Sequence, residues 1–529
     1  MDTEGSNLRI WMFVLLTGLS VSIGWGIRGQ FGHEYGAALP GALGGMVVAL
    51  LSGREDWRRR VHFFAVLGAI GFAFGGSMSY MKDIWYAHSS DPSTVLYGFA
   101  CIFLLGFIWA APAGAGIALA AYLDREQLTK FYVPLCSVFI AWYLQSICCD
   151  LIWNGEGGRR ARFFAGYEMS AILAAVVALG FFLLWKTYRG VGTLLILYMS
   201  IGWWAGKFIF IELLHLRMNP PREETWASCL GMVFGILACC WQRRLGGIAF
   251  ATLGVGFLGG IGFALGTAVK LLVMSSGLTT NWHSIMEQTQ GLFLGVAIAI
   301  IFEALIRRAP QFSDDPPVRR WTEVFSVVFV LWLLPYLNFR LSPGEWVGEI
   351  KGLHSKLYGI NIVSNLLPSQ GFVGWLDFVA LVLGFALVLL LVLHRRRPLP
   401  CIPVSWMGKG QLFYLVFLWL IVAMNFMLVL PRFTQIRLVT EWCITLNATA
   451  CSVLLIYGCF ARPSQVLQYV PDGSYASSIR KVVIFGLLGA VAVSLLGFGI
   501  KLACWGNQPA GVLGVDPIRF GPNNTNTIR

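Results

Sequence analysis

The chain has 529 residues, of which 57% are hydrophobic and 12% are charged, and its formal net charge is +13. Soluble domains carry roughly 25% charged residues, so this composition excludes an ordinary soluble protein and indicates a polytopic membrane protein. The basic residues lie in short loops between apolar segments, where membrane topology explains them. We therefore expect a lipid bilayer around the chain and no nucleic-acid partner.

The hydropathy pattern predicts an all-α membrane bundle of about 14–15 transmembrane helices, because the apolar segments are too long and continuous for barrel strands. The acidic start "MDTEGS" lacks a signal-peptide cleavage pattern, so we expect the first segment to be a retained helix. The predicted helices span residues 9–27, 36–53, 61–81, 94–123, 131–153, 163–185, 190–211, 226–241, 246–274, 288–306, 323–339, 372–393, 411–430, 441–460 and 481–504.

The loop charges predict an orientation. Basic loops follow the second, eighth, tenth and twelfth predicted helices, whereas the loop after the ninth helix has no lysine or arginine. By the positive-inside rule, the N-terminus and the even-numbered loops are then cytoplasmic, and we expect an integral protein of the cell (inner) membrane. The basic loop at 154–162 runs against this trend.

Three short blocks occur twice in the same order. "SIGW" begins at Ser22 and at Ser200, "GMV" begins at Gly45 and at Gly231, and "LGxIGFAxG" begins at Leu67 and at Leu258. The copies lie six predicted helices apart, so both would cross the membrane in the same direction, as in transporters with parallel repeats. We expect two membrane halves, 1–187 and 188–393, followed by further helices in 394–529. Chance recurrence of small residues is the alternative.

The loop "LSGREDWRRRV" at 51–61, between the second and third predicted helices, resembles the loop motif of the major facilitator superfamily, and "CCWQRRLGG" at 239–247 is a fainter second copy. The resemblance implies two parallel six-helix halves covering the first twelve helices. It transfers no functional residue. This chain departs from the family in lacking the motif's second glycine, in its short central loop "KTYRG" and in three extra helices.

The end of the first predicted helix, "SIGWGIRGQFGHEYGA", carries four glycines and several polar side chains. Glycine costs about 1 kcal/mol per helical position relative to alanine, so we expect the helix to unwind there beside a watery cavity. Exposed amides with a cation suit an anion. We assign Trp25, Arg28 and Gln30 to solute binding, and His33 and Glu34 to proton or ion coupling. Attachment of these charges to lipid headgroups or a solvated loop is the alternative.

The second copy offers a similar set. Trp203 matches Trp25, and Lys207 falls one residue beyond the position of Arg28. We assign Trp203 and Lys207 to solute binding at a pocket shared with Arg28, and Glu212 to coupling. Glu287, which approaches the tenth helix from outside, completes the predicted coupling residues.

The leading hypothesis is a secondary transporter of a small polar or anionic solute, driven by a proton or ion gradient. The alternatives are a membrane enzyme, such as a glycosyl or acyl transferase acting at the outer face, and a scaffold or sensor. The outer clustering of the five titratable residues His33, Glu34, Asp83, Asp150 and His283 motivates the enzyme. No Walker A or zinc-binding motif occurs, so we expect no cofactor and no metal. Neither the solute nor the oligomeric state follows from the sequence.

Overall fold

The computed structural model describes residues 3–31, 34–78, 80–153, 163–218, 224–312, 320–341, 406–429, 435–460 and 475–510, together with five single positions between 382 and 393. These residues form helices joined by short connections, and none of them lies in a strand. The predicted all-α polytopic helix bundle is confirmed.

The helices in chain order are α1 Thr3–Phe31, α2 Glu34–Leu51, α3 Glu55–Arg58, α4 Val61–Ala73, α5 Met81–Ala87, α6 Pro92–Tyr122, α7 Arg125–Trp153, α8 Tyr167–Leu184, α9 Val191–Gly206, α10 Thr225–Gln242, α11 Gly246–Met274, α12 Trp282–Ile306, α13 Arg320–Val328, α14 Leu334–Leu341, α15 Trp406–Val429, α16 Gln435–Phe460 and α17 Ala476–Trp505. Two π-helical segments, Lys207–Leu213 and Phe329–Leu333, follow α9 and α13.

Among the described residues, 12 helices are long and apolar enough to cross a membrane. The pair formed by Val61–Gly76 and α5, bent by 65°, makes a thirteenth candidate, and the apolar helix at Tyr35–Leu51 is shorter. The helix predicted at 372–393 lies outside the described residues, apart from the five single positions.

Helices α1, α6, α11 and α12 are largely buried, whereas α7, α8 and α17 expose most of their apolar surface. The buried helices, together with α2, α4 and α15, form the core of the bundle.

Helix α1 corrects the prediction of an unwound segment, because it continues through Gly24, Gly26 and Gly29 to Phe31. A Cβ atom at Gly24 would lie 2.6 Å from the Cα atom of Pro40 on α2. At Gly26 and Gly29 it would lie 2.5 Å and 2.6 Å from side-chain atoms of α12. These glycines are sites of close helix approach, which offsets the cost of glycine within a helix.

The "LGxIGFAxG" block packs in the same way in both copies. In each copy the block carries two glycines that are four residues apart. These glycines face two residues, three positions apart, on the next membrane helix. The contacts that a Cβ atom would make are Gly71 to Pro112 at 2.5 Å, Gly75 to Trp109 at 2.6 Å, Gly262 to Phe293 at 2.6 Å and Gly266 to Gln290 at 2.5 Å. The α4–α6 and α11–α12 hairpins thus share one antiparallel register.

Other contacts differ between the copies, since α2 packs along α4 while α10 packs on α9 and makes few contacts with α11. The duplication, and the division into 1–187, 188–393 and 394–529, stay predictions.

The basic loop between α2 and α4 binds the C-terminal ends of three helices through buried arginines. Arg58 donates from Nε to the carbonyl of Leu50 at the end of α2, at 3.2 Å. Arg60 donates from Nη1 to the carbonyl of Leu123 at the end of α6, at 2.8 Å. The last four carbonyls of a helix lack partners within it and carry partial negative charge, so a guanidinium stabilises them.

Arg54 does the same for α12. Its Nη1 donates to the carbonyls of Ile306 at 3.0 Å and Ala309 at 2.7 Å, and its Nη2 donates to that of Pro310. The ends of α2, α6 and α12 therefore meet at one face of the bundle, and the basic loop joins them there.

We expect Arg60→Met to lower the free energy of unfolding by about 2 kcal/mol, because a buried carbonyl loses a charged donor. Arg59→Met is the matched control, since the Arg59 side chain is 46% exposed and should shift stability by less than about 0.5 kcal/mol. Thermal unfolding of both purified variants in detergent measures the difference. Equal transitions would contradict a capping role for Arg60.

We expect Gly24→Ala to destabilise the protein by about 1–3 kcal/mol, because the new methyl group meets the backbone of Pro40. The control is Gly180→Ala on α8, where a Cβ atom has nothing within 4 Å, and where alanine should raise helix stability by up to about 1 kcal/mol. Unfolding monitored by tryptophan fluorescence should give shifts of opposite sign. A Gly24→Ala variant as stable as the parent would show that α1 and α2 are not in close contact there.

Candidate functional site

A buried ion pair joins the end of α1 to the beginning of α12. Arg28 Nη2 lies 2.6 Å from Glu287 Oε1, and the two side chains are 1% and 4% exposed. The hydroxyl of Tyr80 donates to the same Glu287 oxygen and also contacts Arg28 Nη2. The three side chains form one hydrogen-bonded cluster inside the bundle.

Close packing of α1 on α12 brings this cluster together. Besides Gly26 and Gly29 of α1, Gly291 and Gly295 of α12 face the backbone of the opposite helix. Ser22 Oγ also donates to the carbonyl of Gln288, at 2.7 Å. With the helix axes so close, two side chains of ordinary length reach each other without an intervening water.

Aromatic rings enclose the guanidinium. The Arg28 Cζ atom lies 4.6 Å from the ring centroid of Trp25, 5.0 Å from that of Trp109 and 5.1 Å from that of Tyr80. The Trp25 ring packs edge-on against Trp109 at 4.7 Å and against Phe263 at 5.3 Å. Cations over aromatic faces are stabilised most strongly where they are buried, and the Arg28 side chain is almost fully buried.

The bend between α4 and α5 supplies Tyr80. A short 3₁₀ segment at Phe74–Ser77 ends the first part, and Tyr80 directly precedes α5. The axis turns by 65° across this break. Interrupted helices in membrane proteins occur where the backbone is buried in protein or borders a polar cavity. The sequence predicted an interruption in α1, but it lies in the α4–α5 pair, which packs against α2 and α6.

His283 connects the buried cluster to the surface. Its Nε2 lies 3.5 Å from Glu287 Oε1, and its ring stacks on Tyr80 with 19° between the planes. The side chain is 37% exposed, whereas that of Glu287 is 4% exposed. A partly exposed imidazole therefore lies between the buried carboxylate and the outside of the protein.

A second ion pair joins the opposite ends of the same two helices. Arg9 on α1 pairs with Glu303 on α12, and these side chains are 12% and 21% exposed. The helices run antiparallel, so the two pairs lie at the two ends of the contact, about 28 Å apart for 19 residues at 1.5 Å each. This pair offers a matched comparison for the enclosed one.

The second predicted half-site contains an ion pair of its own. Lys207 Nζ is 2.5 Å from Glu168 Oε1, and the two side chains are 31% and 25% exposed. Trp203 is buried, and its ring centroid lies 6.0 Å from Lys207 Nζ. Glu212 is exposed in the π-helical segment. Each cation pairs with a different carboxylate, and the pocket shared by Arg28 and Lys207 stays a prediction.

The remaining predicted residues have mixed outcomes. Trp25 is fully buried, and its ring is covered by Arg28 and aromatic neighbours, so its assignment to a solute stays a prediction. His33 lies outside the described residues, as do the side chains of Gln30 and Glu34. Glu287 was predicted as a coupling residue, but not as the partner of Arg28. No sequence pattern pointed to Tyr80 or Trp109.

The described residues contain no group of three or more histidine, cysteine or acidic side chains that could hold a metal ion. Comparison of the chain with models of protein families, with curated proteins and with solved structures found no match. The resemblance to the major facilitator superfamily stays a prediction. The arrangement itself provides a buried cation, a carboxylate that pairs with it, and a partly exposed histidine beside that carboxylate.

We expect Glu287→Gln to lower the free energy of unfolding by about 3 kcal/mol, because it removes the carboxylate that pairs with the buried Arg28 charge. Glu303→Gln, at the partly exposed pair, should cost clearly less. The double variant Arg28→Met with Glu287→Met should recover most of the loss, since it removes both charges. Thermal unfolding in detergent orders the three variants. A double variant less stable than Glu287→Gln would contradict this account of the pair.

Proposed function

We propose that this integral multi-pass membrane protein is a secondary transporter of a small anionic solute, coupled to a proton gradient at the Arg28–Glu287 pair. In this view the N-terminus is cytoplasmic in the cell (inner) membrane, and the pair lies toward the outer face. The observation that carries the assignment is the enclosure of a charged pair inside the bundle.

A need for stability does not account for this pair. Desolvating two charges costs as much as, or more than, their attraction returns, and apolar replacements are often neutral or stabilising. Ionisable residues inside a membrane protein usually serve ion, proton or substrate pathways. The enclosed pair is therefore best understood as part of a working site.

The geometry suggests a competition for Arg28. The guanidinium pairs with Glu287 in this structure, and the negative group of a solute would take the place of that carboxylate. A solute anion beside an ionised Glu287 would meet a like charge, so its binding favours protonation of Glu287. The proton would arrive through His283, which reaches both the carboxylate and the surface. One proton and one anion then enter together.

The bent α4–α5 pair is the natural moving element. Discontinuous helices form the substrate and ion sites of many secondary transporters. Here the break supplies Tyr80, which contacts both members of the ion pair. Movement of α5 would withdraw this hydroxyl and open the cluster toward His283. The arginine-capped face at the other end of α12 would stay fixed.

The enzyme alternative gains no support from the described residues. Asp83, one of its proposed bases, is fully buried. The Asp150 side chain, with those of His33 and Glu34, lies outside the described part of the chain. No observation therefore brings the proposed catalytic groups together at an outer surface.

We expect full-length protein in proteoliposomes to acidify the lumen when phosphate, sulfate or succinate is added outside under an inward proton gradient. A trapped pH-sensitive dye reports the proton flux. Glu287→Gln should abolish anion-dependent acidification yet keep exchange of labelled anion at equal pH, because the glutamine mimics the protonated carboxyl. His283→Gln, at a half-exposed side chain, should slow acidification about tenfold or more.

The matched control is Glu303→Gln, which should leave both activities intact. If no anion in a wider panel causes proton entry with the parent protein, proton-coupled anion transport is wrong. If Glu287→Gln retains full proton coupling, another carboxylate serves as the coupling residue.

A further inference from the structure

A lysine lies beside the ion pair. The register of α11 and α12 places Gly266 against Gln290, and Thr267 Oγ1 lies 3.8 Å from Met286 Sδ. Lys270 follows Gly266 by one turn of α11, and Glu287 precedes Gln290 by one turn of the antiparallel α12. The two residues are thus level with each other, and their charges interact.

Lys270 has no hydrogen bond or ion pair with any described residue, and it is only partly exposed. A second lysine, Lys501 of α17, is buried nearby and donates from Nζ to the carbonyl of Gly506 at 2.8 Å. His88, which directly follows α5, interacts electrostatically with both lysines. Burial, followed by the charge of Lys270, lowers the His88 pKa to about 3, and the charges of His283 and Lys501 contribute further.

Glu287 is shared between two cations of the site. It pairs with Arg28 and interacts electrostatically with Lys270, and Lys501 is a further cation nearby. Partly buried cations without a counter-ion are costly in a low-dielectric environment. A bound anion would supply the missing charge.

We infer that Lys270 is a second anion-binding residue of this site and that the solute is a small dianion held between Arg28 and Lys270. This inference rests on the proposed function. When Glu287 is protonated, Arg28 loses the negative charge that pairs with it in this structure, and Lys270 loses the negative charge that interacts with it. A monoanion satisfies only one of them, whereas a dicarboxylate or a divalent oxyanion satisfies both.

Binding of matched anions tests the charge preference directly. We expect succinate to raise the unfolding temperature of the full-length protein in detergent more than succinamate, in which one carboxylate is replaced by a neutral amide. Sulfate against methanesulfonate makes the same comparison for divalent oxyanions and distinguishes the two dianion classes. Lys270→Gln should weaken dianion binding about tenfold and leave monoanion binding unchanged, while Lys270→Arg should keep the preference.

Lys481→Gln is the matched control, because Lys481 is exposed on α17 away from the cluster and should bind like the parent. The inference is overturned if dianions and monoanions stabilise the parent protein equally, or if Lys270→Gln keeps the dianion preference. Anion-dependent proton flux into proteoliposomes is measured in a separate experiment, because it tests the proposed transport and not the binding site. Dianion binding that depends on Lys270 without any proton-coupled flux would support this site and refute the proposed transport.

Discussion

The close approach of α1 to α12 is the constraint on which the site depends. Glycines on both helices bring the backbones so near that a methyl group at Gly29 would lie 2.6 Å from the Glu287 carboxylate. That separation lets Arg28 and Glu287 pair directly, and aromatic rings surround the guanidinium. Without it, the same two charges would each need a different partner or a hydrated cavity. Glycine is unfavourable in an isolated helix, but here it lets α1 and α12 approach closely enough for the buried cluster of Arg28, Glu287 and Tyr80 to form.

The ion pair also divides the roles of the two ends of α12. At one end Arg54 fastens the helix to neighbouring loops through backbone carbonyls, which are fixed acceptors that do not titrate. At the other end Glu287 meets Arg28, Tyr80 and His283, all side chains whose contacts change with protonation or movement. A proposed opening linked to protonation requires that one end of α12 stay attached to its neighbours. It also requires that the side chains at the other end be able to exchange partners.

The sequence predicted the positions of the helices well, but it did not predict which helices pack against each other. Long apolar runs locate membrane helices because the bilayer sets their length, and the bounds of α11 at 246–274 agree with the structure. The role of the α1 glycines was misjudged, because propensity counts their cost in an isolated helix and not the approach of Pro40 or Gln288. The partner of Arg28 lies 259 positions away, and no local pattern encodes which distant helix will pack beside α1. Glu287 was singled out because charge is rare in membranes, whereas Tyr80 resembled an ordinary interfacial tyrosine.

Comparison of the two ion pairs on α1 and α12 sharpens the functional reading. Both pairs join the same helices, yet Arg9–Glu303 is partly exposed and the Arg28–Glu287 pair is almost completely enclosed. If ion pairs served only to fasten the helices, the exposed geometry at both ends would do so at lower desolvation cost. The chain instead encloses one pair, surrounds its cation with three aromatic rings and gives its carboxylate a half-exposed histidine. That asymmetry is what an exchangeable charge needs, because a proton or anion that replaces one partner changes the energy most where water cannot compensate.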